Sequence, residues 1–529
     1  MLGSPVAGVG GPSRTGRIVL LALSLVYLLV QIPLLDTLPM IAVDESWYAN
    51  TAHNLARGQG LINTAVGERG GDQFFLYPLL VSAAFKLFGT TLWVGRFVSV
   101  LFGLIALWGW AFICQRLSIR GSPMAATGLL FITSNVYFIL FRRLRPEALV
   151  LTLSVWALYF FIDAWQGRRP AAASASALLA AGSMLAHPNG LILAIVLGVA
   201  IGAMALVDRS PRLLFGYTAG GIVAVVVFLL GWHISREQAL LDFVRESLFE
   251  SHRVSVAGGS VLSTVWTNVG TFVPEYSLGL KRFYILLFEL GILSVGLALY
   301  RREPITAAIS AIGLGWFLLS LAIWTPFFRW AFSVLIIFSL VVTARVLSLG
   351  PTRMSQRLYA TLCVLTALYG VNTLAGDAHF FEHNAANTPY SRVVDNLDAR
   401  IPAGAPVITH LELWFAFQRN PVYTPFTRWT MTPYSGLRQL LESGEPRYAA
   451  LSSAFIEGRS PLTGQAETQF ARDAEHSDRF YRTARAYLVS HGQRVAVVPT
   501  RGYGEIEIWE IPPTIEGKIS AVVRRPGGP

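Results

Sequence analysis

The sequence predicts a polytopic α-helical membrane protein of about eleven transmembrane helices followed by a soluble α/β domain, and three observations predict it. Of 529 residues, 53% are hydrophobic and only 14% charged, more apolar surface than a water-soluble globule can cover. Apolar runs near the roughly 20 residues that cross about 30 Å of hydrocarbon recur at 17–36, 92–114, 122–141, 148–165, 171–187, 190–207, 213–232, 283–300, 305–324, 329–348 and 357–375. After about residue 376 they stop, and short alternating segments take over.

The first run follows a Gly/Pro-rich segment and carries no A-x-A-type cleavage signal behind it, which reads as a retained signal anchor. With Arg14 and Arg17 cytoplasmic, alternate connections should hold the Lys/Arg excess that fixes orientation. They hold Arg116 and Arg120, Arg168 and Arg169, Arg209 and Arg212, Arg301 and Arg302, then Arg345, Arg353 and Arg357. The run 74–88 is short for a span and contains Pro78 and Lys86. Counting it as a crossing would invert every later connection, so it reads as a helix at the outer interface. The same parity puts loops 37–91 and 233–282, the turns at 142–147 and His187, and the tail on the non-cytoplasmic side of the cytoplasmic membrane.

In 233–282, Leu240, Leu241, Phe243, Val244, Leu248 and Phe249 recur at near-helical spacing among charged residues, as in an interfacial amphipathic helix, before Gly258, Gly259 and Gly270. Such a loop could close over a lipid-linked substrate or simply connect two spans. In the tail, strands are expected at 405–409, 448–452, 494–499 and 505–511, and helices at 390–399, 435–442 and 469–491. It has no Gly-rich phosphate loop and no clustered metal ligands. The chain therefore divides into a membrane-embedded domain, 1–376, and an extracytoplasmic, non-catalytic α/β domain, 377–529, expected to cap the outer face and to help bind an acceptor.

The net charge of +11 comes almost wholly from arginine, the lysines being only Lys86, Lys281 and Lys518. Arginine offers paired donors to phosphate, which suits an anionic lipid headgroup, although genomic base composition would give the same excess. No basic stripe is present to read nucleic acid. Cys114 and Cys363 fall in separate apolar runs, which argues against a disulfide framework and against a cysteine metal site.

Two clusters could carry chemistry. Asp44 and Glu45 open the first outer loop, and Tyr48, His53, Leu55 and Gly58-Gln59-Gly60 behind them make a short helix ended by glycine that would hold the pair in place. The bland alternative is a solvated loop pair. Arg142-Arg143-Leu144-Arg145-Pro146-Glu147 ends the third run against the positive-inside trend, where arginines could clamp a phosphate leaving group and Glu147 could orient them. A charged helix end among headgroups is the competing reading. His187, Arg329 in an aromatic turn, and Lys281 with Arg282 before the eighth run are weaker signals, each explicable by a turn or by interfacial anchoring.

The ordered set of a first span, Asp44-Glu45 with Tyr48, Tyr77 to Leu80 ending in Leu87-Phe88-Gly89, Arg96 opening the next span and Arg145-Pro146-Glu147 resembles the GT-C glycosyltransferases. Within them it is most similar to the branch of protein O-mannosyltransferases and aminoarabinose transferases, over about 15–210. The resemblance implies an inverting transfer of a sugar from a polyprenyl-phosphate donor, at the outer face, to a glycan, glycolipid or protein acceptor. It implies Asp44 as general base, Glu45 as its neighbour and Glu147 as the second acid. Arg142, Arg145, Lys281 and Arg282 would meet the donor phosphate, and Tyr48, His53, Tyr77, His187 and Arg329 would line the substrate site. The aminoarabinose transferases have a lysine in the short helix where Phe75-Leu76-Tyr77-Pro78 has none, which argues against that donor. No cofactor is required, since arginines can neutralise the leaving phosphate, but Asp44, Glu45 and Glu147 could gather Mg or Mn. A lipid or polyanion transporter of the envelope is the alternative; it would call for ionisable residues at mid-span and two-fold internal repeats, and the sequence reading finds neither, Asp163 lying near a cytoplasmic end.

Overall fold

The computed structural model describes residues 14–65, 68–69, 75–187, 190–235, 265–266, 269, 282–323, 328–351, 354–425, 435–455 and 471–512. Its helices are α1 (Arg14–Gln31), α2 (Val43–Ala56), α3 (Leu76–Phe88), α4 (Leu92–Arg116), α5 (Ser122–Thr133), α6 (Asn135–Phe141), α7 (Glu147–Gly167), α8 (Pro170–Gly182), α9 (Gly190–Val207), α10 (Pro211–Ser235), α11 (Arg282–Ala298), α12 (Pro304–Ile323), α13 (Phe328–Leu349) and α14 (Gln356–Asn384). Among the described residues, α1, α4, α7, α9, α10, α12 and α14 are long and apolar enough to cross a membrane, while α3, α8, α11 and α13 are shorter apolar helices. The amphipathic helix expected in 240–249 lies outside the described residues.

Two differences from the sequence reading have local causes. The run 122–141 is not one helix: α5 and α6 meet at a bend of 58°. Ser134 takes an extended conformation there (ψ 120°), and its carbonyl accepts the Phe138 amide at 2.7 Å to start α6. Serine and asparagine compete for backbone partners and favour such starts. Asn135 then enters the space left by Gly376 of α14, where a Cβ would stand 1.7 Å from its Nδ2. Second, α14 runs on to Asn384 instead of stopping near 375, because Phe380 and Phe381 pack on Phe138 and hold its final turns on α6.

Charged residues gather at the two ends of the bundle. At one end Arg116 pairs with Asp163, Arg168 with Asp208 at 2.7 Å, and Arg345 with both Glu303 at 2.8 Å and the Leu117 carbonyl at 3.0 Å. At the other, Arg96 lies near the start of α4; the stretch from there to Arg116 measures about 30 Å at 1.5 Å per residue, the thickness of a hydrocarbon layer.

Beyond α14 come α15 (Tyr390–Asp398), α16 (Ser435–Glu442) and α17 (Ala471–His491) around a sheet of β3 (Val407–Thr409), β4 (Val422–Tyr423), β5 (Tyr448–Ser452), β6 (Gln493–Pro499) and β7 (Glu505–Glu510); Ile62–Asn63 and Glu68–Arg69 form a separate two-residue ladder, β1 and β2. The sheet order is β4-β3-β5-β7-β6, parallel through β4, β3 and β5 and antiparallel through β7 and β6. A 3₁₀ helix, Leu411–Phe417, follows β3 and packs on α2, joining Trp414 and Phe415 to Ile41, Ala49 and Ala52 in one buried cluster. Asp36, just past α1, fastens α15 by accepting the Ser391 amide at 2.9 Å on its carboxylate and the Tyr390 amide at 3.1 Å on its carbonyl.

Candidate active site

The first turn of α2 presents two carboxylates, which the partial positive charge of a helix N-terminus favours, and the structure gives them opposite surroundings. Glu45 is fully buried. Its oxygens accept both Nε (2.8 Å) and Nη2 (2.9 Å) of Arg96, the Leu144 amide at 2.9 Å and the Ala42 amide at 3.0 Å. Arg96 in turn donates to the Leu35 carbonyl at 2.8 Å. Burial by itself would raise the Glu45 pKa, but Arg96, with Arg143 and the Leu144 amide, outweighs it and holds the group below its ordinary value. Expected as a catalytic group, Glu45 instead ties α2, α4, the end of α1 and the 142–146 turn together, with both oxygens engaged.

Asp44 faces the other way. Its side chain is 49% exposed, and one oxygen meets Nη1 of Arg145 at 2.7 Å. The same guanidinium grips Glu147 through Nη2 at 2.7 Å and Nε at 3.2 Å. Arg145 and Glu147 are buried, so Asp44 is the member of the triad that opens outward. Burial works against the charge on Arg145, but Glu147 and Asp44 keep it firmly cationic. Pro146 starts α7 in the αR conformation (φ −65°), which places Glu147 in the first turn.

Arg142, expected at the donor phosphate, is committed elsewhere. It is fully buried over the Phe138 ring and donates to the carbonyls of Leu38 (3.1 Å), Val30 (3.1 Å), Gln31 (2.7 Å) and Pro33 (2.5 Å). Val30 and Gln31 are among the acceptors left open where α1 ends, and Pro33 and Leu38 belong to the segment after it, so Arg142 caps that helix and ties down the chain that follows.

Tyr77 is buried with its hydroxyl 2.9 Å from Ser99, and Tyr48 stacks edge-on against it at 6.0 Å; both rings lie near enough to Arg145 to act on it or be acted on. His187 is buried and interacts electrostatically with Glu147. Tyr48, Tyr77 and His187 thus gather around the triad. His53 does not. Nine residues along α2 at 1.5 Å each put it about 13 Å from Asp44, where its Nδ1 meets Thr90 Oγ1 at 2.9 Å and its ring stands edge-on to Trp414. Burial, with Arg57 adding to it, lowers its pKa below the usual value. Lys281 lies outside the described residues, and of Arg282 and Arg329 only helical backbone is described.

The three carboxylates expected to gather Mg or Mn do not form a cation cage. Arg96 takes both oxygens of Glu45, and Arg145 stands between Asp44 and Glu147, so an ion would have to displace a buried guanidinium.

An acidic residue near Asp44 escaped the sequence reading, as did the mid-helix Glu289. Glu412, near the start of the 3₁₀ helix on α2, is largely buried, and burial, with Asp44 adding to it, pushes its pKa up to about 7. The Tyr390 hydroxyl, donating to the Glu412 carbonyl, fixes that backbone. The signal was a single carboxylate inside Leu411-Glu412-Leu413-Trp414-Phe415, an apolar run whose one polar member must face something particular.

The model of the dolichyl-phosphate-mannose-protein mannosyltransferase family matches residues 72–232, a stretch that holds Arg96, Arg145 and Glu147 and stops short of Asp44. No curated protein sequence matches the chain. Among solved structures, ArnT from Cupriavidus metallidurans bound to undecaprenyl phosphate is 15% identical, with 94% of this chain and 98% of that one covered at a TM-score of 0.61. The apo structure of the same protein matches over the same shares at 14% identity and a TM-score of 0.61. At that identity the likeness establishes the fold. The family match over 72–232 and the shared fold thus make this chain similar to the GT-C membrane glycosyltransferases.

Proposed function

We propose that the chain transfers a sugar, with inversion, from a polyprenyl-phosphate-linked donor to an acceptor at the outer face of the cytoplasmic membrane, with Asp44 as the general base. The observation that carries this reading is the Arg145 bridge between a half-exposed Asp44 and a buried Glu147. A base must be anionic and held within about 3 Å of the acceptor proton, and an adjoining guanidinium on a rigid turn serves both needs. Asp44 takes the proton of the acceptor hydroxyl as its oxygen attacks the anomeric carbon. The carbon–phosphate oxygen bond breaks on the opposite side, and the phosphate leaves as the anion, without needing an acid. Arg145 contributes positive charge toward it; Lys281 and Arg282 are further donors in this reading, and Arg142 is withdrawn from that role.

The arginine-rich end of the bundle supports a cytoplasmic placement for it by the positive-inside rule, which sets Asp44 and the C-terminal sheet outside. Undecaprenyl phosphate, bound by the ArnT of similar fold, is the first carrier to try. The acceptor is a glycan, glycolipid or protein.

The transporter reading has one observation in its favour: Glu289, midway along α11, is fully buried beside Tyr369 of α14, and intramembrane carboxyls often mark transport paths. One assay separates the two. Purified protein in lipid is given a panel of undecaprenyl-phosphate sugars with candidate acceptors, with and without chelator, and release of undecaprenyl phosphate is followed. Release abolished in Asp44→Asn supports the transferase. Donor that is flipped across vesicles but never cleaved supports the transporter.

A further inference from the structure

The sequence reading finds no clustered metal ligands beyond residue 376, yet the extra turns of α14 build one. His379, Glu382 and His383 are all exposed, and one potential ligand atom from each lies within 4.8 Å of the others. Among the described residues it is the one such group of three. We infer that these three side chains form a binding site for a divalent transition ion of zinc's class, separate from the carboxylate site.

The spacing explains the convergence. Residues i, i+3 and i+4 share one face of a helix, and the two imidazoles lie 4.0 Å apart between ring centroids. His383 Nδ1 is 2.9 Å from the His379 carbonyl. That contact makes Nδ1 the donor and leaves the Nε2 lone pair for an ion, the orienting hydrogen bond that metal-ligating histidines ordinarily have. Zinc at about 2.0–2.1 Å from each donor requires ligand atoms about 3.4 Å apart in a tetrahedron. Closing from 4.8 Å needs only rotation of side chains already in solvent. The turn beneath is rigid: Phe380 and Phe381 anchor its other face on Phe138, and Asn384 donates to the Phe380 carbonyl at 2.9 Å. Two imidazoles and one carboxylate select zinc, cobalt, nickel or copper over magnesium and calcium, which prefer all-oxygen shells. Three protein donors leave a fourth position for water.

The test uses the full chain in lipid nanodiscs, its affinity tag removed and its metals stripped by chelator. Zinc is titrated against a chromogenic indicator, and cobalt(II) is added in a parallel sample. Wild type should bind zinc in a step that millimolar magnesium does not displace, give cobalt d–d absorption, and melt at a higher temperature with zinc than without. His379→Ala/His383→Ala should lose the step, the absorption and the zinc-dependent shift, while its metal-free melting temperature matches wild type because both rings are exposed. Unchanged zinc binding in the double variant, or no such step in wild type, would overturn the inference.

Discussion

Glu45 and Asp44 are chain neighbours, and their replacement should fail in opposite ways. Glu45→Gln keeps the size of the side chain but leaves Arg96 as an uncompensated charge in a fully buried position. Removing one partner of such a pair costs about 3–5 kcal/mol, a factor of roughly 10²–10³·⁵ in the folded-to-unfolded ratio at about 1.4 kcal/mol per tenfold. The Leu144 amide, which Glu45 also receives, can still bond the Gln oxygen. Asp44→Asn gives up one contact from a half-exposed side chain to Arg145, which belongs to the class of pairs measured at about 0–1 kcal/mol. It removes the proposed base, a loss of about 10²–10⁴ in rate. The assay pairs thermal unfolding in detergent, followed by size exclusion, with release of undecaprenyl phosphate. Glu45→Gln should melt early while its surviving folded fraction still turns over, and Arg96→Met added to Glu45→Leu should recover much of the stability, because it deletes both charges. Asp44→Asn should melt with wild type and release nothing. A Glu45→Gln protein as stable as wild type and as inactive as Asp44→Asn would refute the assignment of Glu45 to architecture. Acid provides a second view of the same pair: since the folded pKa of Glu45 is depressed, its contribution is present above the ordinary carboxylate pKa and lost as pH falls through the lower folded value.

Other consequences are as direct. Glu412, with a pKa of about 7 beside Asp44, is neutral below that pH and adds a second negative charge near the base above it, which favours proton uptake there; release rates should rise through about pH 7, and Glu412→Gln should flatten that limb. Glu147→Gln leaves Arg145 with Asp44 alone, so the rate should drop by roughly 10–100-fold with little change in donor affinity, measured as separate kcat and KM. Gly95→Ala would place a methyl 1.8 Å from Leu144 Cδ1; the overpacking should cost about 1–3 kcal/mol and, by shifting the turn that carries Arg145, slow release more than its melting temperature alone would explain.

The membrane architecture was legible because it rests on local, one-dimensional signals. Run length marks a helix, and arginines mark an end, so among the described residues seven of the eleven apolar runs hold helices long enough to cross, α1, α4, α7, α9, α10, α12 and α14, and β5 and α16 appear at the residues the alternation and helical spacing predict. The site was legible only as a set of residue types. Sequence placed Asp44, Glu45, Arg142, Arg145 and Glu147 in two clusters without saying which charges look outward, because that depends on which neighbour a side chain meets after folding. Arg96, some fifty positions from Glu45, and four carbonyls behind α1 decided that Glu45 and Arg142 are spent internally. Asp44 is left facing outward: of the carboxylates brought together here, it is the one that shares its partner and keeps its other side open. Glu412 was hidden for the same reason from the other direction. A lone carboxylate in a tail read as non-catalytic gives no pattern until the 3₁₀ helix is laid across α2, and that packing brings Glu412 within electrostatic reach of Asp44. Deleting residues 385–529 should therefore remove activity even if the helices still insert, whereas a tail acting only as a cap would leave release of undecaprenyl phosphate measurable.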